Sequence, residues 1–233
     1  MTRFRGIAML GLAGALALAA CASSPTTTYT DAAGAEVTVD WKSYPAHAGM
    51  PAETALLMPA AGQVEERESQ LIAEIGTTLA DELGLPAPEP RGDGGWYPQS
   101  GNGYGGSSML TTYNGPEWTI DAAIDPDDWP RVLGAVERVL RPHGLAPRDG
   151  IAFETSWQHG RDFGRDLEWM YVSVGDARLD EEALAEAERH GWLVSGVTLS
   201  YGVTTIDEAD VPAFERAAAP FAGLDLPRDT HSD

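Results

Sequence analysis

Six residues, Gly101-Asn102-Gly103-Tyr104-Gly105-Gly106, carry the spacing G-x-G-x-x-G, with which a backbone can close on the pyrophosphate of a dinucleotide. That chemistry needs a strand before the glycines and a helix after them, whose N-terminus receives the anion. Here a proline-rich stretch precedes them and a strand is expected to follow, and no lysine offers a phosphate loop instead. No nucleotide or other cofactor is expected. Asp121, Asp125, Asp127 and Asp128 are dense enough to suggest a calcium site, but they lack the loop spacing and the distal glutamate. Helix capping accounts for them better, and no metal is expected.

Among the five histidines, His47, His143, His159, His190 and His231, no pair has metal-ligand spacing. His143 and His190 each precede a glycine at an expected helix end, where the dipole favours a cation. His159 stands in a run containing Gly-Arg-Asp twice; with Glu154 or Asp162 it would form the one acid-base pair from which a hydrolytic enzyme could be argued. No serine lies in a Gly-x-Ser-x-Gly elbow, so nucleophilic catalysis has no support and a non-enzymatic role is expected. Trp96, Tyr97 and Tyr104 offer different chemistry. Aromatic rings on a glycine-rich loop are candidate contacts for a sugar, a peptide or a protein surface, unless they fold back to cap the core. Arg91-Gly92-Asp93 matches an adhesion tripeptide too short to carry meaning.

The elements that must position these residues follow from periodicity. Apolar residues at 64, 71, 72, 75, 79 and 83 predict a helix closed by Gly84 and Pro86. Residues 85 to 106, rich in proline and glycine, read as a long irregular loop. Strands over 107 to 113 and 117 to 124 are expected to form a hairpin at Asn114-Gly115. A helix over 127 to 143, a strand over 151 to 157, a charged turn, a strand over 167 to 174, a helix from Asp180 to His190, a strand over 193 to 203 and a helix over 207 to 219 complete the series. Ile124-Asp125-x-x-Asp128-x-Pro130 and Ile206-Asp207-x-x-Asp210-x-Pro212 each open a helix with a capping aspartate. From 117 to 203 the order is strand, helix, strand, strand, helix, strand. The expected class is therefore α+β: an antiparallel sheet with helices on one face, a ferredoxin-like core, an added N-terminal helix and strand, and a C-terminal helix.

Charge narrows the partners. The chain holds 36 acidic against 15 basic side chains, for a formal charge of −21, and Lys42 is its one lysine. Nucleic acid and anionic headgroups are disfavoured as partners. A basic protein drawn by the field is the sharper expectation, and solubility the plainer one.

The chain opens with Arg3 and Arg5, no acid, and an apolar run from Ile7 to Ala20, the layout of a secretory signal and too short to span a membrane comfortably. Leu18-Ala19-Ala20-Cys21 resembles the bacterial lipobox. The resemblance implies cleavage before Cys21 and acyl chains, palmitate among them, on that residue. Cys21 is the only cysteine, so an internal disulfide is excluded. The expected layout is a signal over 1 to 20, a lipidated cysteine and flexible tether over 21 to 35, one domain over 36 to 222, and a polar tail over 223 to 233. Together with the tether, the helix at 64 to 83 and the strand and helix at 117 to 143, the lipobox is similar to the LppA-like lipoproteins of actinobacteria. That family resemblance implies no catalytic residue. The expectation is a monomeric, membrane-anchored, extracytoplasmic binding module, inhibitor- or immunity-like in its narrower form. The alternatives are a small-ligand carrier with a pocket near Trp96 and Tyr104, and an enzyme centred on His159.

Overall fold

A computed structural model describes residues 24–148 and 153–228 of the protein, so Cys21, Ile151 and His231 lie outside the described residues. The chain begins with a hairpin of β1 (Thr26–Thr30) and β2 (Glu36–Asp40), a short helix α1 (Ala52–Leu56) and the long helix α2 (Ala61–Leu83). Short strands β3 (Glu89–Arg91) and β4 (Gly95–Pro98) lead to the long strand β5 (Leu110–Asp121) and helix α3 (Trp129–Leu140). Strands β6 (Ala146–Pro147), β7 (Phe153–Glu154), β8 (Gln158–Arg165) and β9 (Glu168–Asp176) follow. Helix α4 (Glu181–His190), strand β10 (Ser195–Ile206) and helix α5 (Val211–Ala218) close the fold.

The main sheet is antiparallel throughout, in the order β3-β5-β10-β9-β8-β6, with β4 also beside β5 and β7 beside β8. Its mixture with helices is of the α+β class. The strand order is not the ferredoxin-like one. A split βαβ unit needs two parallel strands with one strand between them, whereas here β10 and β9 separate β5 from β8, and β5 and β8 run in opposite directions. The cause is the segment expected as a charged turn: Gln158–Arg165 is itself a strand, β8, which adds one reversal. Its hairpin to β9 closes at Asp166, which takes the positive φ of 45° that such a turn requires.

Nor does the chain turn at Asn114-Gly115. Neither residue has a positive φ, and β5 runs straight through them. Gly115 and Pro116 stand together opposite the single residue Tyr201, which makes a bulge. Tyr113 and Trp118, five positions apart, consequently both reach the same carboxylate, a parity that an uninterrupted strand could not give. Glycine is required at 115 because a Cβ there would collide with the side chain of Glu68. The supposed loop over 85 to 106 is partly regular: β3 and β4 pair with β5 on either side of the bulge, and Pro90 and Pro98 are accommodated on this edge.

The front face of the sheet carries Ile120, Phe163, Met170, Val172, Val174, Val197, Leu199 and Val203, and α2 and α3 cover it. Val64, Leu71, Ile72, Ile75 and Leu79 of α2 are buried there, as are Val132, Val136 and Leu140 of α3, each contributing about 1.5 to 3 kcal/mol. Helices do not keep to one face, however, because α4 overhangs the back of the sheet.

A second buried cluster gathers Trp41, Tyr44, Tyr104, Leu110, Ile206, Phe214 and Phe221 where β5 begins and β10 ends. Much of the stretch expected as a tether belongs to this end, since β1 pairs with β2 and Trp41 Nε1 donates to Thr27 Oγ1 at 2.8 Å. The tail is engaged as far as residue 227: Leu224 and Leu226 pack on the cluster, and Pro227 O accepts from Tyr104 Oη at 2.9 Å. Asn102 holds the cluster together. It is fully buried, its Nδ2 donates to the carbonyls of Trp41, Lys42 and Tyr44 at 3.1, 3.1 and 2.8 Å, and its Oδ1 accepts from the N–H groups of Tyr104 and Gly106. The glycine pattern around it is thus a structural plug, and a Cβ at Gly106 would strike the Lys42 carbonyl.

Removing Asn102 leaves buried carbonyls unpaired, each a cost of about 1 to 3 kcal/mol. Asn102→Ala is expected to lower the unfolding free energy by about 2 to 4 kcal/mol. Asn102→Asp, which keeps the shape but cannot donate, should do no better. Urea denaturation followed by circular dichroism measures both; an aspartate variant as stable as the parent would show that the donated bonds contribute little.

Candidate functional site

The fold disperses the three aromatic rings expected to share a surface. Trp96 and Tyr97, adjacent on β4, take opposite faces. Trp96 is half-buried against Tyr113, with ring centroids 5.0 Å apart, and Tyr97 is 58% exposed. Tyr104 is buried in the second cluster, among Trp41 and Tyr44, which corrects its expected role as a surface contact. Trp96 does line a cleft of about 690 Å³, shared with Glu65, Gln99, Asp207 and Asp210.

His159 meets Trp129 edge-on at 5.0 Å, and its ring forms no hydrogen bond to a carboxylate among the described residues. Glu154, its cross-strand neighbour, accepts from Arg161 at 3.0 Å. Asp162, three positions along the strand, lies on the other face and accepts from Arg148 Nε at 2.5 Å. The repeated Gly-Arg-Asp run is therefore ion-paired strand rather than turn. Asp125 and Asp207 cap their helices as expected, accepting from Asp127 N and Ala209 N at 3.0 Å each.

A second concavity lies on the back of the sheet, beneath α4. After β9, Asp180 caps this helix by accepting from Ala183 N at 2.9 Å, and the helix ends at Gly191 with a φ of 64°. Glu181 and Glu182 suit its first turn, and Arg189 and His190 its last. Only Ala187 is fully buried. Ala183 and Ala187, one turn apart, line the space beneath, too small to fill the gap to the sheet. Opposite them lie Glu117 of β5, Tyr171 and Ser173 of β9, and Thr198 and Ser200 of β10. The result is a cleft of about 540 Å³, within the size range of ligand sites.

Trp157 and Trp192 also line this cleft. Trp192 is 58% exposed and stacks on His190 with centroids 4.8 Å apart. Tyr171 stacks on Phe153 at 6.2 Å, and burial, aided by the Asp162 charge, pushes its phenol up, so that it lines the cleft as a neutral hydroxyl. Four carboxylates, Glu117, Asp180, Glu182 and Glu186, share the lining with these rings, and among the described residues no lysine, arginine or histidine does. Such a surface can hold a ligand by apolar contact and by accepting hydrogen bonds. Neither tryptophan stood out in the sequence: Trp157 ends the strand expected over 151 to 157, and Trp192 falls between the helix expected to His190 and the strand expected from 193. The usable signal was the composition of α4, with alanines where a core helix carries leucine or valine.

Comparison with protein-family models, with curated protein sequences and with solved structures finds no match to the chain. Among the described residues, no group of three or more His, Cys, Asp and Glu side chains is placed to hold a metal ion, and no helix is long and apolar enough to cross a membrane.

Two buried carboxylates belong to the front layer. Glu168, fully buried, accepts from Arg67, from Arg165 Nε at 3.0 Å and from Tyr201 Oη at 2.9 Å, joining α2, the β8–β9 turn and β10. Among the described residues Glu68 has only neutral donors, Tyr113 Oη at 2.8 Å and Trp118 Nε1 at 3.0 Å, and no ion pair. Burial pushes its carboxyl above the ordinary value, and the two donors offset this only in part. Because the folded-state group binds its proton more tightly than the unfolded one, its contribution to stability is complete below the free glutamate value of about 4.3. It is lost as pH rises through the higher folded value. Glu68→Gln should therefore gain stability relative to the parent between about pH 4 and pH 8. Urea midpoints of the two proteins across that range measure the gap; one that stays flat or narrows would assign control to the donors rather than to burial.

Proposed function

We propose that the protein is a lipoprotein held at the outer face of a membrane through Cys21, and that its domain is a non-enzymatic binding module whose site is the cleft beneath α4. The lipobox-like stretch before the only cysteine supports the address. The observation that carries the binding role is the combination in one cleft of Trp157, Trp192 and Tyr171 with four carboxylates. Exposed tryptophan in a concavity is the feature most enriched where proteins concentrate binding energy. Only residues 22–25 separate Cys21 from β1, a reach of at most about 18 Å, so an anchored domain stands close to the headgroups. Its net acidity gives no attraction to anionic lipid, which leaves the acyl chains to supply attachment.

A small-ligand carrier is the second reading, at the Trp96 cleft. Gln99 lines that cleft, and its Oε1 is buried without a hydrogen-bond partner among the described residues. A ligand that donates a hydrogen bond there would satisfy it.

Both parts of the first reading have direct tests in a bacterial host. Cys21→Ser should abolish incorporation of labelled palmitate and move the chain from the membrane to the soluble fraction. A photoreactive side chain at Leu193 should crosslink one envelope component, and Ala183→Trp, which fills the cleft, should remove that product. A crosslink that persists in the filled variant would move the site elsewhere.

A further inference from the structure

Resting on the reading of the cleft beneath α4 as the binding site, we infer that its occupant is a basic segment of a partner protein, inserting an arginine or lysine whose head meets Glu117 and Glu182. The four lining carboxylates are not equivalent. Asp180 is committed to the helix cap, and Glu186 is engaged by Arg189 and by His190. Glu182 makes no hydrogen bond or ion pair through its side chain among the described residues. Glu117 has one cation near it, Arg91, paired across the β3–β5 ladder at 3.8 Å, with both side chains more than a third exposed. Two of the four carboxylates are therefore unneutralised or nearly so.

Arg91 also indicates what this place favours. Its Nη2 would lie 3.7 Å from a Cβ on Gly191, beside Trp192, so the chain already brings a guanidinium of its own to the mouth of the cleft. At 3.8 Å between exposed groups that pair is weak and open to replacement by a ligand's cation. The walls suit the rest of such a side chain. Trp157, Trp192 and the neutral ring of Tyr171 present faces for cation–π contact and for an apolar stem, and Ser173, Thr198 and Ser200 add hydroxyls along the floor. A free volume of about 540 Å³ admits one or two side chains of a peptide, not a folded surface. The formal charge of −21 draws a basic chain toward the domain before contact.

The test uses the full chain purified in detergent and three acetylated, amidated pentapeptides: one with a single arginine between leucines, and its citrulline and glutamate counterparts. Calorimetry should show the arginine peptide binding about tenfold more tightly than the citrulline peptide, and the glutamate peptide not binding. Glu117→Gln and Glu182→Gln should each weaken the arginine peptide about three- to tenfold, whereas Arg91→Ala, by freeing Glu117, should strengthen it. Equal binding of the arginine and citrulline peptides overturns the inference while leaving the cleft as a binding site. So does binding of a neutral oligosaccharide in place of all three peptides. Failure of every peptide to bind overturns it as well, and loss of the Leu193 crosslink in the Ala183→Trp chain then shows whether the cleft reading survives on its own.

Discussion

Strand β10 is hydrogen-bonded along both edges, to β5 on one side and β9 on the other, so both of its faces need a cover. Two interior strand edges leave no room for solvent to satisfy a misplaced side chain. On the front, Val197, Leu199, Tyr201 and Val203 meet α2 and α3, and packing is complete. On the back, Thr198 and Ser200 are small and polar, and the element above them, α4, offers Ala183 and Ala187. A half-polar back face under a helix with short side chains leaves unfilled space without a large desolvation cost. The cleft is a consequence of how the central strand divides its residues between two unequal layers.

The front layer is held in rotation as well as buried. Adjacent residues of α2, Arg67 and Glu68, reach in different directions: Arg67 to Glu168 and to the carbonyl of His143, Glu68 to Tyr113 and Trp118 of β5. An amphipathic helix can slide or turn over an apolar surface at small cost, but two buried polar contacts on neighbouring positions fit only one placement. The desolvation of such groups roughly cancels their attraction, so they specify the arrangement more than they stabilise it. The bulge at Gly115 and Pro116 belongs to the same device, because it brings Tyr113 and Trp118 to one face and clears space for the Glu68 carboxylate.

Periodicity made the helices legible. The stripe of α2, the caps at Asp125, Asp180 and Asp207 and the stops at Gly84, Gly144 and Gly191 all depend on neighbours within a turn, and all appear where the residues place them. What could not be read depended on distant partners. Asn114-Gly115 is a strong local turn signal, yet the carboxylate of Glu68, 47 positions earlier, gives that glycine its use. Gln158–Arg165 looked like a turn because its charges seemed unsuited to a sheet, and Arg161 and Asp162 have their counter-ions, Glu154 and Arg148, on other segments. The rings of Trp96, Tyr97 and Tyr104 are near in sequence, but strand parity separates the first two and a buried asparagine draws in the third. The cleft was hidden for the same reason: Trp157 and Trp192 are brought to one concavity by β8, β9 and α4 together.

The length of β10 also relates the two ends of the molecule. At its C-terminal end, Ile206 enters the cluster that holds β1, β2 and Trp41, the end nearest Cys21 in the chain. Thr198 and Ser200, under α4, stand six to eight residues back along the strand, about 20 to 26 Å away. Asn102 fastens the N-terminal segment to the Ile206 end by bonding the carbonyls of Trp41, Lys42 and Tyr44. With the anchor proposed at Cys21, a short leader attached at that end would hold one pole of the domain at the bilayer and leave the cleft set back along the strand. Rigidity between the two poles then matters more than the length of the leader: an ordered, antiparallel strand transmits position, whereas a flexible tether of the same span would let the cleft collapse toward the headgroups.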